Sequence, residues 1–340
     1  MQRILLTLTG LVLLFLFWLF RPAVDVTDFT VPAELPGLPY GVEQIDNEIR
    51  QSELEAGPLK PDNHARIIWN PEFRNRKAPC SIVYIHGFSA SFGEGSPLHT
   101  QVAQAMGCHL YVSRLHGHGL RTDEPLSDMD PGAILEDAGK AVAIGNILGE
   151  EVILMGTSMG GMLSIHLASN YPESVDVLVL FAPLIEFASR SSVLFDRNWG
   201  QRIMRLMMGG PSIRFEPDSD DHRRYWYTHY RIESLGVLKT MKRKLLSGPV
   251  YEQITQPVFA GYHFEDDDEQ DEVVSVSAIR GIRDRFGTPS ERREFHAFTQ
   301  ADEHVISSSY RTKGYKEVRD ILIPFLEKHT SVALPTGGNP

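Results

Sequence analysis

The chain has 340 residues, 42% of them hydrophobic, and a formal net charge of −11. This length can hold one large α/β domain with an insertion or two ordinary domains, and the composition is that of a globular protein with an ample core. The acidic balance argues against nucleic acid as a partner and gives no attraction to anionic lipid, because it is basic surface that displaces counterions from phosphates.

The N-terminal stretch is apolar. Residues 4–20 carry no charge and are dominated by Leu, Phe, Val and Trp. As a helix they would be roughly 25 Å long, just enough to span a bilayer. A cleaved signal peptide is the alternative, but Arg21 and Pro22 follow, and only Ala23 is small. We therefore predict a single-pass membrane anchor at residues 1–21 and a proline-rich tether at 22–40.

Continuous apolar runs with strand character divide the body of the chain. They lie at residues 80–86, 110–115, 152–155, 175–183, 257–262 and 293–298, with a shorter run at 65–69. Helical patterns separate them, and one opens with Asp130 and Pro131 as a cap and first-turn pair. Such an alternation indicates a parallel sheet covered on both faces. We predict a doubly wound, mostly parallel α/β domain at 41–330 and a disordered tail at 331–340.

The alternation breaks between residues 186 and 254. This segment has helix-like pieces at 199–208 and 232–246 and an aromatic cluster at 225–230. It is inserted after a strand end, on the side where α/β proteins bind ligands, so we predict that it forms a helical cap over the site. Trp226 and Tyr230 are candidates for an acyl pocket under the cap. The alternative is that these rings form the core of the cap itself.

The stretch at 150–170 combines a strand, a tight turn and a helix. Ser158 lies on the turn, and Gly156 and Gly160 provide the absence of side chains that a sharp strand-to-helix bend requires. The bend also points the backbone N–H of Met159 toward the place where negative charge would grow on an attacked carbonyl oxygen. The pattern predicts a nucleophile elbow with Ser158 as the nucleophile.

A serine hydroxyl needs a base that is itself oriented by an acid. On this type of fold the acid and then the histidine follow the serine along the chain, each on a loop at the carboxyl end of a strand. The run at 257–262 is followed by Asp266, Asp267 and Asp271, and the run at 293–298 is followed by His304. The order fits.

Here the chain resembles the α/β-hydrolase superfamily, and within it the capped serine esterases of the monoacylglycerol lipase and lysophospholipase kind. The resemblance covers about residues 67–328. It rests on His-Gly-Phe at 86–88, His-Gly-His-Gly at 116–119, the elbow at Ser158, Asp-Glu-Val-Val at 271–274 and Glu-His-Val-Ile at 303–306.

The resemblance implies a role for each candidate residue. Ser158 would be the nucleophile, His304 the general base and then acid, and Asp271 the residue that orients the imidazole. The oxyanion donors would be the backbone N–H groups of Phe88 and Met159. The acid loop is longer than usual, so Asp266 and Asp267 compete with Asp271, which the Asp-x-Val-Val match and the helix after it favour.

No metal or cofactor is expected. His86, His116 and His118 lie on two Gly-rich strand ends without a carboxylate or cysteine at ligand spacing, which favours hydrogen bonds that stabilise the loops. The acidic run at 265–269 lacks the spacing and glycine of an EF-hand loop, so we expect it to be solvated.

These features together predict a serine hydrolase that cleaves carboxylic esters through an acyl-enzyme. An anchor and a cap favour substrates that partition into lipid, such as monoacylglycerols or lysophospholipids. An amidase or aminopeptidase of the same fold is the first alternative, because the triad does not separate esters from amides. The second is a non-catalytic ligand-binding protein, which the fold alone does not exclude.

The two cysteines bear on the compartment. Cys80 begins one strand and Cys108 precedes the next, and by the resemblance these strands are parallel neighbours. A disulfide is then possible at the amino-terminal edge of the sheet, and two buried thiols are the alternative. A disulfide would support a domain outside the cytoplasm, on the periplasmic side in a bacterium.

Overall fold

The computed structural model describes residue 7 and residues 9–16, 29–195 and 197–332. Its centre is a seven-stranded sheet in the order β1-β3-β2-β4-β5-β8-β9. Only the edge strand β1 is antiparallel to its neighbour. The strands are β1 Arg66–Ile68, β2 Ala78–Ile85, β3 His109–Val112, β4 Gly149–Thr157, β5 Val177–Phe181, β8 Val258–His263 and β9 Arg293–Phe298. The predicted mostly parallel α/β sheet is confirmed.

Helices cover both faces of this sheet. They are α1 Ile45–Glu55, α2 Leu98–Met106, α3 Pro131–Leu148, α4 Met159–Asn170, α8 Val276–Ile282 and α9 Tyr315–His329. Successive residues of one strand serve opposite layers: Val83 packs in the core with α3, α4 and α8, whereas Ile82 packs in the core with α2 and α9. Because both faces of the central strands are buried, these strands are largely apolar, which explains their continuous runs in the sequence.

The segment predicted as a cap holds three helices and a small second sheet. The helices are α5 Asn198–Met207, α6 Asp220–Tyr225 and α7 Ile232–Leu245, and the second sheet pairs β6 Ser212–Arg214 with β7 His229–Arg231. Helices α5 and α7 lie close to the predicted ranges. The β6–β7 pair was not predicted, because strands of three residues are too short to show a periodic pattern.

The described residues include only part of the predicted N-terminal anchor and tether. In the part of the chain that is described, no helix is long and apolar enough to cross a membrane. Residues 9–16 are helical, and the rest of the predicted anchor, apart from residue 7, lies outside the described residues. The predicted membrane-spanning helix is therefore not supported. Residues 333–340 of the predicted tail also lie outside.

The predicted tether differs from a free linker in its second half. The side chain of Phe29 is buried against the main core, and Leu35 packs against the same core. The hydroxyl of Tyr171 donates to the carbonyl of Pro32 at 2.6 Å. The ammonium of Lys244 in cap helix α7 donates to the carbonyl of Phe29 and lies 4.2 Å from its ring centroid. Residues 29–40 thus belong to the folded body, because buried apolar side chains outweigh the extended tendency of the prolines.

Cys80 and Cys108 are joined in a disulfide with their Cα atoms 4.7 Å apart. The parallel register pairs Ser81 with His109, so the two cysteines face each other one position earlier. This is the placement at the amino-terminal edge of the sheet that the order of the strands allowed.

Candidate active site

Ser158 occupies a strained turn between β4 and α4. Its backbone has φ 54° and ψ −114°, a conformation that L-residues rarely adopt. A Cβ atom added at Gly160 would lie 2.0 Å from the carbonyl oxygen of Ile85, and one at Gly156 would lie 2.4 Å from that of Gly160. Only glycine fits at either position. The sequence therefore folds into a sharp bend that presents the Ser158 hydroxyl at the carboxyl end of the sheet.

The loop after β2 lies directly against Ser158. A Cβ atom added at Gly87 would be 3.1 Å from the Cβ of Ser158, so Phe88, the next residue, follows at the edge of the same space. Met159 is the first residue of α4, where backbone N–H groups have no partner within the helix. The positions of Phe88 and Met159 suit the predicted oxyanion donors, whose role remains a prediction.

Asp271 and His304 meet at the ends of β8 and β9. Asp271 Oδ2 lies 2.7 Å from His304 Nδ1, and the side chain of Asp271 is fully buried. Asp271 Oδ1 accepts the N–H groups of Val273 and Val274 at 2.8 and 2.9 Å, which fixes the carboxylate. This arrangement directs the imidazole so that its other nitrogen is left for a reacting group.

The two groups shift each other's pKa in opposite directions. Burial opposes ionisation of Asp271, but the charge of His304 and its hydrogen bond outweigh burial and hold the pKa of Asp271 below its usual value. Burial likewise disfavours the imidazolium of His304, yet Asp271, then Glu94 and Glu303, raise the pKa of His304 above its ordinary value. The site therefore stabilises a positive charge on His304, as a general base requires.

The competing acids are placed differently. Asp266 and Asp267 are exposed. Asp266 Oδ1 accepts the N–H groups of Asp268 and Glu269 and so closes a local turn in the acidic loop. Of the three candidates, it is Asp271 that contacts His304.

The histidines of the two Gly-rich loops contact the backbone. His86 Nδ1 lies 2.9 Å from the carbonyl of Gly87, and its Nε2 accepts the N–H of Leu115 at 3.1 Å. His118 Nδ1 lies 2.8 Å from the carbonyl of His116. These contacts hold the loops that flank the site.

The cap residues Trp226 and Tyr230 both reach the sheet edge that holds Ser158 and His304. Trp226 is buried in a cluster with Val305, after His304, and with Ala90, which lies in the predicted oxyanion loop, residues 86–91. The ring of Tyr230 meets that of Phe88 edge to face, with centroids 4.9 Å apart. Both rings lie beside the site, and their contribution to an acyl pocket remains a prediction.

Two residues that sequence reasoning missed connect the parts of the site. Arg311 donates to Glu303 Oε1 at 2.7 Å and also to Asp218, which precedes α6. It thereby ties the cap to the loop of His304. No sequence signal marks Arg311, because its partners are distant along the chain.

Glu94 is the second missed residue. Its carboxylate is buried and accepts the N–H of Gly87 at 2.5 Å. The sequence does mark Glu94, because it is the only Asp, Glu, Lys or Arg between Lys77 and Arg114.

A polar cleft opens beside the Asp271–His304 pair. Its volume is about 450 Å³, and the acidic loop and residues Asp302 and Glu303 contribute to its walls. Another cleft, of about 640 Å³, lies away from this edge, between residues 29–36 and helix α3. The first cleft gives water and small polar groups a space close to His304.

Sequence comparisons connect the chain to hydrolases. A family model described as serine aminopeptidase, S33, matches residues 77–231, a range that contains Ser158 but neither Asp271 nor His304. The chain is 28% identical to the abhydrolase domain-containing protein abhd-5.2 of Caenorhabditis elegans, over 80% of this chain and 62% of that protein. It is 27% identical to the pimeloyl-[acyl-carrier protein] methyl ester esterase of Nitrosospira multiformis, over 39% of this chain and 48% of that one. The chain thus spans less than two thirds of the length of these curated relatives.

Solved structures share the fold at low sequence identity. LipS and LipT, described as metagenome-derived lipolytic enzymes, match with a TM-score of 0.64 and 16% identity, covering 80% of this chain and 100% of that one. A monoacylglycerol lipase of Paleococcus ferrophilus matches with a TM-score of 0.55 and 13% identity, covering 78% and 99%. The monoglyceride lipase of Saccharomyces cerevisiae matches with a TM-score of 0.54 and 15% identity, covering 79% and 92%. With the order of its sheet and the strained turn at Ser158, the chain has the α/β-hydrolase fold.

Proposed function

We propose that the protein is a serine hydrolase that cleaves carboxylic esters. The observation that carries this proposal is the 2.7 Å contact between Asp271 and His304 at the sheet edge where Ser158 is held in a strained turn. A largely buried, oriented imidazole at the same sheet edge as a serine hydroxyl is the arrangement that activates serine for attack on a carbonyl.

The proposed reaction has two halves. Ser158 Oγ attacks the ester carbonyl while His304 takes the hydroxyl proton, and the N–H groups of Phe88 and Met159 stabilise the oxyanion. His304 then gives the proton to the departing alkoxide, which leaves an acyl-enzyme. Water, deprotonated by His304, attacks the acyl-enzyme and releases the acid. These steps use no metal or cofactor.

We propose substrates that partition into lipid, such as monoacylglycerols or lysophospholipids. Support comes from the cap, where helix α5 and the residue after it leave large apolar side chains in contact with solvent: Ile203, Leu206, Met207 and Met208, with Leu206 84% exposed. An apolar helix face of this kind suits contact with a lipid surface that presents the substrate. Replacing Leu206 and Met207 by serine should then lower turnover of ester in vesicles while leaving turnover of a water-soluble ester unchanged.

An aminopeptidase is the second candidate. It is favoured by the description of the family model that matches residues 77–231. The proposed machinery does not distinguish an ester from an amide, because both react through the same tetrahedral intermediate. Direct comparison of p-nitrophenyl esters of graded acyl length with aminoacyl anilides separates the two functions.

We also propose an N-terminal anchor and a catalytic domain outside the cytoplasm. The supporting features are the uncharged residues 4–20 and the disulfide between Cys80 and Cys108. Mass spectrometry of alkylated, unreduced protein from its native cells tests the location. One bridged pair is the expected result, and two alkylated thiols would remove this support.

The substrate panel should use the full-length protein, because residues 29–40 are part of the folded body. We expect turnover of esters and little turnover of anilides. Preference for anilides would favour the aminopeptidase. Binding of a lipid without turnover, and without labelling by a fluorophosphonate, would favour a ligand-binding protein.

A further inference from the structure

Glu94 is a buried carboxylate beside the candidate active site. It lies on a short 3₁₀ helix, Phe92–Gly95, that follows the oxyanion loop, and it is 2% exposed. Burial of a carboxylate costs free energy unless hydrogen-bond donors satisfy it. Buried ionisable groups with perturbed pKa values are therefore found most often at functional sites.

Two separate parts of the fold donate to this carboxylate, and a third acts on its pKa. The N–H of Gly87 donates to Glu94 Oε2 at 2.5 Å, and the hydroxyl of Tyr84 in β2 donates to the same oxygen at 3.3 Å. The side chain of Trp226, in the cap, favours the charged carboxylate and so lowers the pKa of Glu94. Glu94 thereby joins the central sheet, the oxyanion loop and the cap at one point.

Glu94 is also close to the reacting groups. A Cβ atom at Gly87 would lie 2.7 Å from Glu94 Oε1 and 3.1 Å from the Cβ of Ser158, so the side chains of Glu94 and Ser158 both lie against Gly87. The charges of Glu94 and His304 act on each other, since each favours the charged form of its neighbour.

We propose that Glu94 is a positioning residue of the active site: it fixes the backbone that carries the Phe88 N–H, fastens the cap through Trp226, and adds a second negative charge beside His304. This inference rests on the proposed function, in which His304 is the base. It assigns the carboxylate a positioning role, because Glu94 Oε2 already accepts from Gly87 and Tyr84.

The surroundings of Glu94 determine how its charge would act. Burial raises the pKa of Glu94 to about 7 and raises the pKa of Tyr84 well above its usual value, so the tyrosine is neutral. His99, which packs against Tyr84, is also neutral, because burial lowers its pKa to about 3. Of these titratable neighbours, His304 is the one that can carry a charge opposite to that of Glu94. At a pH where Glu94 is ionised, removing the carboxylate charge should therefore lower the pKa of His304.

The test uses three variants of the full-length protein and a matched control. Glu94→Gln keeps an oxygen that can accept from Gly87 but removes the charge, Glu94→Ala removes both, and Trp226→Phe removes only the indole donor. Glu72→Gln changes an exposed glutamate on the chain between β1 and β2. For each protein, kcat and KM for a water-soluble ester are measured against pH, together with the rate of fluorophosphonate labelling and the denaturation midpoint.

We expect Glu94→Gln to lower kcat about 10-fold and Glu94→Ala about 100-fold, with KM changed less than kcat, because the oxyanion donor acts mainly in the transition state. The acidic limb of kcat/KM should move to lower pH in both Glu94 variants and stay in place in Glu72→Gln. Trp226→Phe should lower kcat, and the acidic limb of its kcat/KM profile should still be present. It also keeps the proposal testable if the Glu94 variants do not fold.

Two results would overturn the inference. One is a Glu94→Gln protein with wild-type kcat and an unmoved acidic limb. The other is a pair of results: Trp226→Phe keeps the wild-type kcat, and the Glu94 variants keep the wild-type activity per labelled Ser158. In that case the Glu94 variants would differ from wild type only in the amount of folded protein, and Glu94 would have only a stabilising role. Wild-type turnover that does not depend on Ser158 would instead contradict the proposed function, so the two failures are distinguishable.

Discussion

Asp271 Oδ2 lies 2.7 Å from His304 Nδ1, although the two residues are 33 positions apart along the chain. They meet because β8 and β9 are adjacent parallel strands, so the loops that follow them leave the sheet at the same edge. The contact places the negative charge of Asp271 next to the imidazole of His304, which is itself largely buried.

The pH dependence of turnover should reflect this contact. Because Asp271, Glu94 and Glu303 together outweigh the effect of burial, the pKa of His304 is raised. We expect the neutral base, and with it kcat/KM, to be lost as the pH falls through a value above the ordinary imidazole pKa of about 6.5. Asp271→Asn should move this limb to lower pH and reduce kcat by about 10²-fold to 10⁴-fold. An Asp271→Asn protein with the wild-type profile would assign the acid elsewhere.

The elbow glycine should tolerate no side chain. A Cβ at Gly160 would lie 2.0 Å from a backbone oxygen, so Gly160→Ala must displace the strand end or the helix. We expect a loss of more than about 3 kcal/mol in the free energy of unfolding and loss of ester turnover. Gly281→Ala is the matched control, because Gly281 lies in helix α8 with nothing within 4 Å of the added Cβ. It should stabilise the protein by about 0.5–1 kcal/mol.

The disulfide should contribute measurably to stability. Cys80 and Cys108 are separated by 28 positions, and a closed loop of this size lowers the entropy of the unfolded chain by an amount worth about 3–4 kcal/mol. Replacing both cysteines by serine should lower the denaturant midpoint, and the wild type treated with reductant under denaturing conditions should refold with the same lowered midpoint. Equal midpoints for all three proteins would contradict a stabilising bridge.

Tyr230 should influence the choice of acyl chain. Its ring meets Phe88 edge to face at the catalytic edge, so its removal should open space beside the oxyanion loop. We expect Tyr230→Ala to change the ratio of kcat/KM between short and long acyl esters, and Tyr230→Phe, which keeps the ring, to leave that ratio nearly unchanged. A constant ratio with lowered stability in Tyr230→Ala would place the ring in the core of the cap.

The sheet was largely predictable because both of its faces are buried. Strand β9 has the predicted bounds, and the other parallel strands lie within a few residues of the apolar runs. Successive residues such as Ile82 and Val83 enter different cores, which makes consecutive positions of a central strand apolar and the strand easy to recognise.

The connections around the site were less predictable because they depend on tertiary contacts. The sequence left three aspartates open, and it is the hydrogen bonds of Asp271 that distinguish it from the exposed Asp266 and Asp267. The isolation of Glu94 among uncharged residues was visible, but its partners in the sheet and cap were not. The prolines of residues 22–40 indicated a tether, and composition gave no sign that Phe29 is buried.

Ser158 is proposed as the nucleophile of an ester hydrolase. This role is tested by treating the full-length protein with a fluorophosphonate probe, locating the label by peptide mass spectrometry, and measuring ester turnover in parallel with Ser158→Ala. We expect one labelled residue, Ser158, with loss of label and a fall in turnover by several orders of magnitude in a folded Ser158→Ala protein. Full ester turnover by Ser158→Ala, or labelling at another serine in the active wild type, would contradict it.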